Sequence, residues 1–118
     1  MASWVKQSNY ITNSQSILTD AQHSANALRQ ANSSSADLRT VCAVLLDEVN
    51  QINASLPTPD SQSTALLSKS YTDLGEAANL CYVARDSVRT RARALARLVL
   101  GVSYLSEGSA RVASASLS

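Results

Sequence analysis

The apolar positions of this chain lie three and four residues apart, the spacing of amphipathic helices that pack into a bundle. A first stripe runs through a seven-residue repeat, Trp4, Ile11, Leu18 and Ala25, with Ala21 and Leu28 interleaved. A second runs through Leu38, Cys42, Leu45, Val49, Ile52 and Leu56. A third comprises Leu67, Tyr71, Leu74, Ala78 and Cys81, and resumes after Arg85 as Val88, Ala92, Leu95, Val99 and Val102. These stripes predict an all-α fold.

Capping and turn residues divide the pattern into helices. "NSSS" at 32–35 interrupts the first helix, and Ser34 or Ser35 caps the second. "LPTPD" at 56–60 ends the second helix and begins the third, with Thr58 as N-cap and Pro59 at the first helical position. We therefore predict helices over about 3–31, 35–56 and 58–84, the last two forming an antiparallel hairpin.

The region after residue 84 allows two interpretations. A single, kinked third helix from Thr58 would be roughly 80 Å long and would leave the aliphatic residues of its second half uncovered. A break near "VARDS", with Asp86 or Ser87 as N-cap, gives a fourth helix over about 87–108. We expect the second arrangement, one domain over 1–118 with four antiparallel helices in up-down-up-down order and about eight frayed C-terminal residues.

Composition and charge narrow the classes of function. The 118 residues are 45% apolar with a net charge of +1, as in a globular protein, and phenylalanine is absent. A general nucleic-acid-binding domain is basic overall, so any anion site must be local. Gly101 lies inside an apolar segment, and we expect a close helix approach there.

One segment is strongly basic. Residues 85–97, "RDSVRTRARALAR", carry five arginines and one acid. Four of these arginines recur every fourth residue and form a row on one helix face, with Arg91 to one side; the set is Arg85, Arg89, Arg91, Arg93 and Arg97. Guanidinium groups bind oxyanions, so the row is a candidate site for an acidic partner or nucleic acid. The alternative is a solvated helix face.

Two cysteines occupy stripe positions on the predicted hairpin. A disulfide between Cys42 and Cys81 requires Cα atoms within about 7 Å. Counting outward from the turn places Cys42 about one helical turn short of Cys81, so two buried free thiols in a reducing compartment are the preferred interpretation.

No arrangement of residues indicates catalysis, a metal site or a cofactor. His23 is the only histidine, and no cysteine or acid lies at a spacing that indicates a catalytic or metal site. The metal-binding bundle motif Glu-x-x-His is absent, and the three glycines are isolated, so they form no phosphate-binding loop. We therefore expect a protein that is not an enzyme. The N-terminus lacks the apolar run of a signal peptide and no segment is long enough to span a bilayer, so a cytoplasmic location is expected.

One short motif is similar to a known signal. Tyr82 and Asp86 match the Tyr-x-x-x-Asp/Glu signal of small helical-hairpin substrates of type VII secretion. The Trp-x-Gly turn of that family is missing, because the turn here is "LPTPD" and Trp4 has no glycine two residues later. The similarity to the type VII signal implies secretion without a signal peptide. The composition is similar to that of small helical proteins from high-GC bacteria.

The sequence therefore predicts a non-catalytic structural or interaction module. Its expected partner is a second copy of the chain or an acidic protein. The alternatives are a nucleic-acid-binding regulator that uses the 85–97 face, the secreted helical protein just described, and a carrier of an apolar ligand between helices.

Overall fold

The computed structural model describes residues 1–30 and 33–117, which form five helices: α1 (Ala2–Gln7), α2 (Tyr10–Arg29), α3 (Ser35–Asn53), α4 (Ser61–Val83) and α5 (Val88–Ser116). The four long helices pack in chain order, each antiparallel to the next, in a molecule of 48 × 20 × 18 Å. The predicted all-α bundle is confirmed.

The chain breaks between α4 and α5, so the interpretation with one long third helix is wrong. Arg85 adopts a left-handed conformation with φ of 50°, which lets the chain turn without glycine or proline. Ser87 then caps α5, because its Oγ accepts a hydrogen bond from the Thr90 amide. Ser34 likewise caps α3 through the Asp37 amide, as expected.

Other helix limits differ from the prediction. The first helix divides at Asn9, whose φ is 54°, and α2 ends at Arg29; the predicted end at residue 31 lies outside the described residues. Asp60, not Thr58, is the N-cap of α4, because the Asp60 carboxylate accepts a hydrogen bond from the Ser63 amide. The Thr58 hydroxyl donates to the Asp60 carbonyl. α3 ends earlier than predicted, at Asn53.

The C-terminal segment is helical rather than frayed. α5 continues to Ser116, well beyond the predicted end at 108. Arg111 lies in this extension and forms an ion pair of 2.9 Å with Asp60, which fastens the last turns of α5 to the start of α4.

The buried core agrees with the sequence stripes on two helices and differs on the other two. The stripes of α3 and α4 are buried as predicted. On α2 the core contains Tyr10 and Ile17, whereas Ile11 and Leu18 are exposed. On α5 the predicted stripe is mostly outside the core; the buried residues are Arg91, Ala94, Leu98, Gly101, Leu105, Gly108 and Val112.

Two glycines explain why α5 buries this second face. A Cβ atom on Gly101 would lie 2.6 Å from the side chain of Leu74 and 3.0 Å from its backbone nitrogen. A Cβ on Gly108 would lie 2.7 Å from Leu67. Ser70 Oγ also donates a 2.7 Å hydrogen bond to the Gly101 carbonyl. α5 therefore approaches α4 closely at these points, with leucine side chains of α4 in the space that a Cβ atom would occupy, as anticipated for Gly101.

Cys42 and Cys81 form a buried disulfide between α3 and α4, with Cα atoms 6.0 Å apart. The expectation of free thiols and the estimated one-turn offset were wrong. Cys81 is nine residues farther from the turn within its helix than Cys42, about 13 Å at 1.5 Å per residue. The connection 54–60 takes up this difference by running along the bundle before α4 begins. Closing the 39-residue loop stabilises the fold by about 4 kcal/mol in a chain-entropy description.

The close approach of α4 and α5 yields a prediction with an internal control. We expect Gly101→Ala to destabilise the protein by about 1–3 kcal/mol, because the methyl group meets the Leu74 backbone, which cannot move aside. Gly75→Ala should stabilise it by about 0.5–1 kcal/mol, since its nearest neighbour is a Val49 methyl at 3.9 Å and alanine favours helix. Urea unfolding of both variants tests this, and equal effects would contradict it.

Candidate functional site

Arg91 differs from the other arginines of the 85–97 segment because it is buried. Its residue is 8% exposed, and its guanidinium group donates to three backbone carbonyls, those of Arg85 at 2.7 Å, Gln30 at 3.1 Å and Ser33 at 2.8 Å. It thus joins the α2–α3 connection to the α4–α5 connection. Arg91 is therefore not available to an external anion. Arg91 lies seven residues before Leu98, about two helical turns, and so on the same buried face of α5. This spacing is the sequence signal for its role.

The remaining arginines divide into two groups. Arg97 contacts acids of α4, with its guanidinium nitrogens 3.2 Å from Asp73 Oδ1 and 3.4 Å from Glu76 Oε2. Arg85, Arg89 and Arg93 are exposed, and within the described part of the chain none of them forms an ion pair. The unpaired positive charge of the row therefore lies at its first three positions.

Folding enlarges this basic region with two arginines that are remote in sequence. The α2–α3 and α4–α5 connections lie at the same end of the bundle, which brings exposed Arg29 beside Asp86 and Val88 and places exposed Arg39 at the same end, on α3. We call this region the basic end, formed by residues 28–30, 33–40 and 82–94. It contains six of the ten basic residues and two of the nine acids, so the rest of the chain has a net charge of −3.

The opposite end is held by polar contacts between different helices. Asp60 accepts two hydrogen bonds from Arg111, at 2.9 and 3.0 Å. These bonds, together with those from Ser63, hold the pKa of the Asp60 carboxyl well below its usual range. Trp4 Nε1 donates to the Ser55 carbonyl at 3.0 Å, and the hydroxyls of Tyr10 and Ser109 lie 2.6 Å apart.

A carboxyl pair lies between α2 and α3. Burial of the Glu48 carboxyl, its hydrogen bond with Asp20 and the negative charges of Asp20 and Asp47 raise the pKa of Glu48 from 4.5 to about 7. His23 lies 3.7 Å from Asp20 on the exposed side of α2. Across residues 1–30 and 33–117, His, Cys, Asp and Glu side chains form no group that could ligate a metal ion.

An apolar surface follows the junction between α2 and α5, the loosest of the contacts between neighbouring long helices. We call it the α2/α5 face and define it by the residues Ile11, Leu18, Val88, Leu95, Val99 and Val102. Val88, Val99 and Ile11 are 81%, 56% and 56% exposed. Three hollows of about 350, 310 and 500 Å³ follow one another along this junction.

The α2/α5 face has almost no charge. Among the described residues that line its three hollows, the charged ones are Arg29, Asp86 and Arg91, all at the basic end. The largest hollow, at the opposite end, is lined by uncharged side chains alone in the part of the chain that the structure describes. The sequence predicted Val88, Leu95 and Val99 as core, so this surface was missed. None of the described helices has the length and apolarity of a membrane-spanning segment.

Removing Arg91 should disrupt the fold without reducing accessible charge at the basic end. We expect Arg91→Ala to cost about 2–4 kcal/mol, because three backbone carbonyls lose a charged donor and a buried side chain is removed. Arg93→Ala, two residues away and exposed, should change stability by less than about 0.5 kcal/mol. Chemical denaturation of the two variants compares them directly; similar stabilities would refute the assigned role.

The Asp20–Glu48 pair predicts an inverted pH dependence. A carboxyl whose pKa is higher in the folded state holds more protons there, so stability falls as the pH rises from about 4.5 through 7. Glu48→Gln keeps the hydrogen-bond donor without a charge and should raise Tm at pH 8 by about 2–4 °C, with little effect at pH 5. Thermal unfolding at both pH values measures the difference, and a variant that is less stable at pH 8 would contradict the pairing.

Comparison with other proteins adds no functional assignment. No protein-family model, no curated protein and no solved structure matches this chain. The basic end and the α2/α5 face are therefore candidate surfaces on the basis of the charge and burial of this chain's own residues.

Proposed function

We propose that the protein is a non-catalytic interaction module that binds an acidic protein partner through its basic end. The observation that carries this proposal is the cluster of exposed arginines at one end of the bundle, of which Arg85, Arg89 and Arg93 form no ion pair with any described residue. Guanidinium groups bind carboxylates through paired hydrogen bonds, so an acidic segment can use several of these donors at once.

The charge distribution favours a short acidic segment over nucleic acid. The basic end is the end of a molecule only 18–20 Å wide, and the remainder of the chain has a net charge of −3. A long polyanion that lay along the 48 Å axis would approach this negative part and be repelled. An acidic protein segment can contact the basic end alone. Nucleic acid is the second candidate, supported by the four-residue spacing of the arginines.

The disulfide bears on where such a module acts. The cytoplasmic location predicted from the sequence goes with free thiols, whereas disulfides persist mainly in oxidising compartments. The Cys42–Cys81 bond therefore favours an exported protein. The Tyr82–Asp86 motif agrees with this alternative, since both side chains are exposed, Tyr82 in the last turn of α4 and Asp86 in the connection that follows.

Binding to polymers of known charge tests the proposed function. We expect polyglutamate to bind the protein and Arg85→Gln/Arg93→Gln to weaken this binding at least about tenfold, because two unpaired guanidinium groups are lost. Lys69→Gln/Arg97→Gln is the control: it removes the same charge from outside the basic end. Arg89 and the α2/α5 face are unchanged in both variants. Fluorescence anisotropy at about 50 and 200 mM salt gives the affinities.

Each outcome is decisive. Equal losses in the two variants would show a dependence on net charge and refute a specific basic end, and so would the absence of binding at low salt. A DNA duplex that binds more tightly than polyglutamate, with a steep salt dependence, would replace the acidic protein by nucleic acid.

A further inference from the structure

Helix α5 carries two apolar stripes, and the bundle buries only one of them. The buried stripe is rich in small residues and includes Ala94, Gly101 and Gly108, which allow the close contact with α4. The second stripe keeps a regular 4-3-4-3 spacing through Val88, Ala92, Leu95, Val99 and Val102. This spacing is typical of a helix that packs against another helix.

The second stripe is covered only in part by α2. Leu95 and Val102 are half-buried, whereas Val88 and Val99 are mostly exposed. On the α2 side, Ile11 and Leu18 are 56% and 43% exposed, and they belong to the seven-residue repeat of the first helix. Two helices thus present helix-packing residues on the same side of the molecule, where no other helix of residues 1–30 and 33–117 covers them.

The α2/α5 face is large enough for a stable interface. It follows the 48 Å axis of a molecule that is 18–20 Å wide, so it can contribute about 800 Å² per partner, the usual size for a specific complex. Among the described residues, Arg29 is the one charged residue that lines the middle hollow and none lines the far one, which suits contact with an identical surface because a charged face would repel its own copy.

The charges beside the stripe indicate an orientation. Arg89 and Glu107 are 18 residues apart on α5, which is five complete helical turns. They therefore lie on one line along the helix, about 27 Å from each other, on the exposed side of the stripe. Leu98 is midway between them. If two α5 helices run antiparallel about an axis at Leu98, each Arg89 faces the other copy's Glu107; if they run parallel, like charges face each other.

We propose that a second copy of this chain covers the α2/α5 face, in an antiparallel twofold dimer whose axis passes near Leu98. The aliphatic side chains of both α5 stripes pack at its centre, flanked by Ile11 and Leu18. The arrangement also places the basic end of each chain beside the negative half of the other, which favours the same orientation. Arg89 belongs to both surfaces, but the polyglutamate test replaces only Arg85 and Arg93 and leaves Arg89 and the α2/α5 face unchanged, so the two proposals can fail separately.

Two exposed valines provide a matched test of the surface. Val99 lies on the α2/α5 face and is 56% exposed, whereas Val44 is 48% exposed and lies on α3, which is not a neighbour of α5 in the bundle. We expect the wild type to have twice the 12.5 kDa chain mass at about 50 µM in light scattering. Val99→Glu should weaken dimerisation at least about tenfold, because two carboxylates enter an apolar interface, and Val44→Glu should leave it unchanged. Circular dichroism verifies that both variants are folded.

A charge exchange tests the orientation. Arg89→Glu and Glu107→Arg should each weaken the dimer by about threefold to tenfold, because like charges then face each other twice. The double variant Arg89→Glu/Glu107→Arg should restore the wild-type affinity. An equimolar mixture of the two single variants should form a heterodimer more tightly than either forms a homodimer, since every facing pair is then opposite in charge.

The remaining outcomes overturn the proposal in distinct ways. A wild type that stays monomeric at about 50 µM rules out the dimer. A dimer insensitive to Val99→Glu uses another surface, and a dimer without rescue in the charge exchange is not antiparallel about Leu98. Flotation with vesicles of neutral and anionic lipid tests the alternative that the α2/α5 face binds a membrane. A monomer that binds these vesicles through Val99 would support that alternative. None of these results changes the polyglutamate binding expected of the basic end.

Discussion

The contact between α4 and α5 determines which surfaces the molecule presents. Because Gly101 and Gly108 lack side chains, α5 lies directly against Leu74 and Leu67 of α4 and turns its small residues inward. Its larger aliphatic residues are thereby directed to the junction with α2, where packing is loose. A tightly packed pair on one side of α5 and an open apolar face on the other are thus two results of the same arrangement of small and large residues.

Apolar spacing predicted the buried face correctly for helices with one apolar stripe and wrongly for a helix with two. On α3 and α4 the stripes through Leu45 and Leu74 are the only continuous apolar lines, so burial follows from spacing alone. On α5 the line through Val99 is more hydrophobic than the line through Gly101, and helical periodicity ranks it as core. The choice is made by how closely α4 can approach, which depends on the three-dimensional contact and not on hydrophobicity.

For the arginines, too, spacing along the chain predicts the helix face but not the partners of each side chain. The four-residue spacing of the arginines was visible in the sequence, but their separation into free, paired and buried groups depends on partners far along the chain. Arg97 meets Asp73 and Glu76 on α4, and Arg91 meets carbonyls near residue 30. Arg29 and Arg39 join the basic end only because the α2–α3 and α4–α5 connections lie side by side. The disulfide was missed for a related reason, since the length and path of the 54–60 connection decide the alignment of its helices.

The three hydrogen bonds of Arg91 also make the two ends of the bundle unequal in cooperativity. At the basic end, one side chain bonds to residues of both connections, so its loss weakens both at once. At the opposite end the contacts of Trp4, Tyr10 and Asp60 belong to separate residues and can be lost one at a time. We therefore expect local opening at the basic end to be more cooperative than at the opposite end.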